Sequence, residues 1–146
     1  MITIRVATLL SLLMALTSQA AQIEFPNAPL NLKEAETQGL HRMSGEELKP
    51  LFPGTTDARQ YNGEERRTVT KADGSLETKF LTMQGTYTGK WRIDEQNNTY
   101  CTGINWKKGY RDDCFAIFLA PDGIHYFTYD IKTGLAGGVW RRASDQ

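Results

Sequence analysis

The sequence predicts an all-β domain of about eight antiparallel strands, connected as a meander and closed into a barrel. Three observations predict this fold: short runs rich in β-branched and aromatic residues, turn-forming dipeptides between them, and no helical pattern interrupting them after residue 54. Closing the meander removes the exposed edges that an open sheet would have to protect. A two-sheet β-sandwich is the alternative that the same pattern allows.

The first twenty residues have the layout of a secretory signal peptide. Arg5 precedes an apolar run that ends at Leu16, and small residues lie three and one positions before the bond that follows Ala20. The run is too short to span a bilayer, and a buried N-terminal helix is the alternative. We expect residues 1–20 to be removed, with cleavage after Ala20 or Ala21, and the protein to be periplasmic or secreted from a bacterium.

The remaining chain is of a size that suits a single domain. Loss of Arg5 from 17 basic and 17 acidic residues leaves a net charge of −1. A nearly neutral chain argues against nucleic acid as the partner, because neutralising phosphates requires an excess of Lys and Arg. No second apolar stretch approaches membrane-spanning length, so no membrane span is expected in the mature chain.

Two segments precede or begin the β runs. Residues 21–43 contain two prolines and are expected to form an extended leader. The barrel domain is then expected over residues 44–146. At its start, Ser44 and Glu47 have the spacing of a capping box, which predicts a helix of one or two turns that ends before Gly54.

The β runs follow one another from residue 55 to residue 142, separated by turn-forming pairs such as Asp73-Gly74. The expected strands are Thr55–Tyr61, Arg66–Lys71, Ser75–Met83, Tyr87–Asp94, Thr99–Trp106, Cys114–Leu119, Ile124–Asp130 and Gly137–Arg142. In the fourth run apolar residues alternate with polar ones, which is typical of a strand with one buried face.

Cys101 and Cys114 are expected to form a structural disulfide, because export exposes both thiols to an oxidising compartment. If residues 107–108 form a two-residue turn, Trp106 faces Gly109 and the two cysteines face each other across the hairpin. A turn one residue later would shift these partners and require a bulge. A metal site would need more ligands than two cysteines and two remote histidines supply, and a Cys-x-x-Cys redox motif is absent.

The density of aromatic residues in the predicted strands indicates either a packed core or a ligand cavity. The candidate ligand-binding residues are Trp91, Trp106, Tyr126, His125 and Trp140. Core packing is the alternative for most of the aromatic residues, because the interior of a small barrel is just wide enough for side chains to fill. For His125 the alternative is an exposed or hydrogen-bonded strand residue near the rim of the barrel.

No catalytic arrangement is apparent in the sequence. It contains no nucleophile-elbow, zinc-protease or phosphate-loop motif. The acidic stretch 94–98 offers oxygen ligands but lacks the spacing and glycine of a calcium-binding EF-hand loop. We therefore expect a protein that is not an enzyme and that uses no metal and no cofactor.

Three basic clusters flank or end the predicted strands, where charge commonly protects edges and turns. They are Arg66-Arg67, Lys107-Lys108 with Arg111, and Arg141-Arg142. The functional alternative is that two of these clusters converge on an anionic partner.

A glycine-rich tryptophan strand, Gly85–Ile93, is followed by Cys101 on the next strand and then by Cys114 with an aromatic residue after it. In this pattern, and in the segment Ser44–Gly54, the chain resembles a family of small exported bacterial proteins whose domain has no known function. The resemblance covers residues 44–142. It implies a calycin-like barrel of the lipocalin and avidin type, and it implies no reaction and no catalytic residues.

These observations favour a non-enzymatic periplasmic protein that binds an unidentified small molecule or protein. The alternative is an inhibitor or immunity protein that blocks a toxin or a cell-wall lytic enzyme through an exposed loop. The volume inside the barrel is the property that separates a cavity binder from a packed scaffold.

Overall fold

The computed structural model describes residues 24–61, 63–82 and 84–143. The expected signal peptide, residues 1–20, lies outside the described residues, as does Met83, the expected end of the third strand. The helices are α1 (Leu32–Thr37) and α2 (Gly45–Leu48). The strands are β1 (His41–Arg42), β2 (Thr55–Tyr61), β3 (Glu64–Thr70), β4 (Ser75–Phe80), β5 (Thr86–Asp94), β6 (Thr99–Trp106), β7 (Gly109–Leu119), β8 (Tyr126–Asp130) and β9 (Ala136–Arg142).

Strands β2 to β9 form a closed barrel of eight antiparallel strands in which each strand pairs with the next along the chain. Strand β9 completes the barrel by pairing with β2, from Asp57 opposite Arg142 to Gln60 opposite Val139. The short strand β1 pairs with the end of β7 beside the barrel. The predicted meander barrel is therefore confirmed, and the sandwich alternative is excluded.

Alternation along the strands separates the barrel interior from its outer wall. On β4, Leu76 and Thr78 are buried whereas Lys79 is exposed. On β5, Trp91 is half-buried whereas Lys90 is exposed. The alternation expected for the fourth run is thus present in the structure.

Helix α2 and the residues after it cover one end of the barrel, which we call the closed end. The capping box is confirmed: the Glu47 carboxylate accepts a hydrogen bond from the Ser44 backbone N–H at 2.7 Å, and the Ser44 hydroxyl accepts one from the Glu47 N–H. Leu48 and Phe52 are buried in one cluster with Trp140. The opposite end, which we call the open end, carries the connections β2–β3, β4–β5, β6–β7 and β8–β9.

Helix α1 packs on the outer face of the barrel, where Ala35 is fully buried in a cluster formed mainly by residues of β7, β8 and β9. The Asn31 side chain caps the helix by accepting a hydrogen bond from the Glu34 backbone N–H at 2.9 Å. The expectation of an extended leader over residues 21–43 is therefore wrong for residues 32–37. A good N-cap and a buried alanine face favour a short helix that the prolines alone did not suggest.

The hairpin β6–β7 has the predicted register. Trp106 faces Gly109, and Cys101 faces Cys114. The two cysteines form a disulfide with their Cα atoms 4.0 Å apart. Because the neighbouring residues Tyr100 and Phe115 point into the barrel, the disulfide lies on the outer side of the wall that these two strands share.

Removing this disulfide is expected to lower the free energy of unfolding by roughly 3 kcal/mol, because an open chain of this loop length gains conformational entropy when it unfolds. The measurement is urea unfolding of the Cys101→Ala/Cys114→Ala variant beside the oxidised wild type. The wild type unfolded in the presence of a reductant is the matched control and should approach the double variant. Equal midpoints for all three samples would contradict this expectation.

Asp122 organises the turn between β7 and β8. Its Oδ1 accepts hydrogen bonds from the backbone N–H groups of Ile124 and His125, both at 2.9 Å. These hydrogen bonds to the charged form, together with contact to the His125 ring, lower the pKa of Asp122 from 3.8 to about 2. The folded state thus holds the ionised carboxylate more strongly than the unfolded state does. This stabilisation is present above the unfolded pKa and is lost as the pH falls towards 2.

Asp122→Asn is expected to destabilise the protein at neutral pH and to match the wild type near pH 2, since asparagine keeps an oxygen acceptor but carries no charge. Urea midpoints of the two proteins should converge as the pH falls through the interval between about 4 and about 2. When both proteins also carry His125→Gln, their urea midpoints should still converge in acid, because the backbone N–H groups are the main cause of the lowered pKa of Asp122. A difference that persists unchanged in acid would contradict this account.

Candidate functional site

A cavity of about 600 Å³ lies inside the barrel towards the open end. Its aromatic lining residues are Phe80, Tyr87, Tyr100, Trp106 and Phe115. Its charged lining residues are Arg59, Arg66, Lys107, Lys108, Arg111, Asp113 and Asp130. The volume lies within the range of roughly 300–1,000 Å³ that is typical of small-molecule sites. The interior is therefore not completely filled by side chains.

The floor of this cavity is formed by aromatic residues that pack around Phe52 at the closed end. The Phe52 ring stacks on the Tyr100 ring with centroids 3.9 Å apart, and Trp140 lies 5.3 Å from Phe52. Burial raises the pKa of the Tyr100 phenol, so this group stays neutral. Phe52 follows helix α2 in the chain. Helix α2 and Phe52 together cover the closed end of the barrel, and the open end stays accessible.

Three aromatic rings form one wall of the cavity near the open end, and we call them the aromatic wall: Phe80, Tyr87 and Trp106. The rings of Tyr87 and Trp106, which belong to the neighbouring strands β5 and β6, lie 4.9 Å apart. Phe80 lies 6.0 Å from Tyr87 and 6.1 Å from Trp106. Aromatic faces at these separations offer a flat or bulky apolar ligand a well-ordered surface.

A row of charged side chains lies on the interior face of the neighbouring strands β2 and β3. Arg59 on β2 lies opposite Trp140 on one side and opposite Arg66 on the other, and Arg66 in turn lies opposite Phe80. The guanidinium carbons of the two arginines lie 5.9 Å from the ring centroids of Trp140 and Phe80, respectively. Both arginines thus rest on aromatic rings inside the barrel.

Asp57 is the acidic member of this row. Its carboxylate Oδ2 lies 3.7 Å from the nearer guanidinium nitrogen of Arg59, and both side chains are only 4% exposed. Burial raises the pKa of Asp57, and the nearby Arg59 and Arg66 guanidinium groups oppose that rise. The Nε of Arg59 donates no hydrogen bond to the described residues. We call Asp57, Arg59 and Arg66 the charged row.

The two acidic residues at the open end are engaged by protein groups. Asp113 pairs with Arg111 at 3.1 Å and lies 3.8 Å from the ammonium group of Lys132. Asp130 Oδ1 accepts hydrogen bonds from the backbone N–H groups of Lys132 and Thr133, which shape the β8–β9 connection. Their negative charge is thereby partly compensated, and the lining of the cavity is cationic overall.

Among the predicted ligand-binding residues, Trp106 lines the cavity. The other three aromatic candidates, Trp91, Tyr126 and Trp140, belong to the closed-end cluster around Phe52. The Tyr126 and Trp140 rings stack with centroids 4.4 Å apart. All four aromatic candidates thus lie inside the barrel, but three of them belong to the packed closed end and only Trp106 lines the cavity.

His125 lies at the closed end and contacts neither the floor nor the aromatic wall among the described residues. Its Nδ1 lies 2.6 Å from Asp122 Oδ2, and its ring meets the edge of Phe25 at 5.6 Å. The side chain is 10% exposed. It therefore anchors the N-terminal segment and the β7–β8 turn.

Sequence reasoning overlooked Arg59, Phe80 and Tyr87 as cavity residues. A signal existed for Arg59. Asp57 and Arg59 are two residues apart and so share one face of β2. Two charged residues on the inward face of a barrel strand are unusual. Phe80 and Tyr87 offered none, because either could belong to a packed core. Of the three basic clusters, however, two do send residues to the same cavity, namely Arg66 and the Lys107–Arg111 cluster.

No protein-family model, no curated protein and no solved structure matches this chain. In the part of the chain that the structure describes, no helix is both long and apolar enough to cross a membrane.

Arg59→Met is expected to lower the free energy of unfolding by about 3 kcal/mol, because it removes the cation nearest to a buried carboxylate. Asp57→Asn added to that variant should restore part of the loss, since the remaining row then lacks the buried negative charge. The measurement is a double-mutant cycle by urea unfolding.

Arg67→Met is the matched control for this cycle, because Arg67 is exposed and its neighbour Arg66 belongs to the charged row. The control should change stability by no more than about 0.5 kcal/mol. Additive effects of the Arg59 and Asp57 substitutions would show that the two charges do not interact and would contradict the prediction.

Proposed function

We propose that this chain is a non-enzymatic, exported binding protein that holds one small molecule inside its barrel. The observation that carries the proposal is the cavity of about 600 Å³. A purely structural barrel would fill its interior with side chains, as this one does at its closed end.

The two halves of the interior support the same proposal. Leu48, Phe52 and Trp140 pack tightly at the closed end, so a ligand has one route of entry. Towards the open end, apolar side chains are combined with charged groups. That combination is typical of small-molecule sites, where apolar contact supplies affinity and polar groups fix orientation.

Export is supported by the Cys101–Cys114 disulfide, since disulfides persist mainly in oxidising compartments. The sequence of residues 1–20 adds the layout of a signal peptide. A periplasmic location would suit a protein that captures a small molecule outside the cytoplasm. An inhibitor acting through an exposed loop would have no need of the interior cavity, so we favour the small-molecule function.

The neutral fluorescent probe N-phenylnaphthylamine tests this proposal, because its emission rises when it enters an apolar cavity. We expect saturable binding of one probe per wild-type protein. Thr102→Phe should weaken it, since Thr102 lines the cavity from the middle of β6 and a larger ring there takes up part of the space. The measurement is a fluorescence titration supported by a thermal-shift assay.

Asn105→Phe is the control for this substitution, because Asn105 lies on the same strand and is exposed. It should bind the probe as the wild type does. Probe binding of unchanged affinity in Thr102→Phe, in a variant that still unfolds cooperatively, would show that the cavity is not the site. Absence of binding to the wild type by this probe and by the naphthyl compounds described below would overturn the proposal.

A further inference from the structure

The charged row combines two cations with one carboxylate; Arg59 and Asp57 are its buried members, and Arg66 is half-buried. It contains the guanidinium groups of Arg59 and Arg66 and the single carboxylate of Asp57. Like charges on directly opposed strand positions are unfavourable, and buried charge is costly unless it is compensated.

Arg59 is the buried cation of this row. Its side chain is 4% exposed and lines the cavity, yet its nearest acidic neighbour among the described residues, Asp57, is 3.7 Å away. Its Nε makes no hydrogen bond to any described residue. A planar group with five donors is held in a buried position with few protein acceptors, which is the arrangement that a carboxylate ligand would complete.

The apolar surroundings of the charged row restrict the anion further. Arg66 lies opposite Phe80, which belongs to the aromatic wall with Tyr87 and Trp106. A ligand whose anionic group reached the arginines would thus place its remaining atoms against three aromatic rings. A small inorganic anion would leave this surface uncovered.

The charges at the entrance to the cavity also favour an anionic ligand. Lys107 and Lys108, in the β6–β7 turn, line it and are exposed. The acidic residues near them, Asp113 and Asp130, are engaged by protein groups. Lysines at the mouth of a cavity raise the local concentration of anions and their rate of entry.

We propose that the cavity binds an amphipathic organic acid, with its carboxylate at Arg59 and Arg66 and its apolar body against Phe80, Tyr87 and Trp106. This inference rests on the proposed function, because it names the class of molecule that the barrel holds. The volume of about 600 Å³ accommodates one such molecule.

A matched pair of probes separates the charge from the apolar body: naphthoate, which is ionised at neutral pH, and naphthylmethanol, which has a similar shape and no charge. Isothermal titration calorimetry measures both against the oxidised protein purified after export. We expect naphthoate to bind about tenfold or more tightly than naphthylmethanol, as a charge-assisted hydrogen bond contributes at least that much. Its affinity should fall as the salt concentration rises.

Arg66→Gln and Arg67→Gln form the matched variants, since these neighbours on β3 point to the inside and the outside of the barrel. Arg66→Gln should weaken naphthoate about tenfold and leave naphthylmethanol within a factor of about two. Arg67→Gln should leave both unchanged. Arg59→Gln should also weaken naphthoate selectively, with unfolding curves to confirm that it folds.

The possible results distinguish this inference from the proposed function. Equal affinity for the two probes, or equal loss of both in Arg66→Gln, would overturn the inference while the cavity remained a binding site. Inorganic phosphate that competes as strongly as naphthoate itself would show that the apolar body contributes nothing, and would also overturn it. Failure of both naphthyl probes and of N-phenylnaphthylamine to bind would overturn the inference together with the proposed function.

Discussion

The pairing of β9 with β2 is the contact on which the rest of this structure depends. It converts a meander with two open edges into a closed wall and so defines an inside. Closure also determines which side chains meet: Arg59 lies between Trp140 and Arg66 only because β2 has β9 on one side and β3 on the other. Without this pairing the charged row would have no buried environment.

The interior then divides between stability and binding. At the closed end, α2 and Phe52 bring aromatic residues from several strands into contact, and this packing supplies the buried apolar surface of a small core. Towards the open end the same wall is left unfilled, with aromatic rings on one side and arginines beside them. A cavity is energetically unfavourable for a small domain, and the disulfide between β6 and β7 helps to offset that cost in the strands that line it.

The strand order, the capping box and the cysteine register could be predicted because each depends on local patterns. Turn dipeptides separate the strands, Ser44 and Glu47 are three residues apart, and a two-residue turn sets the partners of Cys101. Helix α1 escaped prediction because Asn31 was the one local signal for it and the burial of Ala35 against distant strands, which also stabilises it, leaves no trace in the local sequence.

The candidate site could be predicted only in part, for a related reason. Trp91, Trp106 and Trp140 have similar sequence surroundings, and what distinguishes them is their position along the barrel axis. That position depends on the stagger between strands around the whole sheet, and its surroundings depend on which end of the barrel Phe52 fills. The inward position of Arg59 likewise contradicts the usual rule that charged residues face water, and such exceptions occur most often at functional sites.

In this proposal the unfilled half of the barrel is a binding site with arginines at one end of the ligand and aromatic rings along it. Nuclear Overhauser contacts between naphthoate and the protein are the measurement that locates the ligand. We expect contacts from the naphthyl protons to Phe80, Tyr87 and Trp106, with the Nε–H signals of Arg59 and Arg66 shifting on binding. Contacts to Trp91 and Tyr126 at the closed end, or to residues on the outer wall, would contradict it.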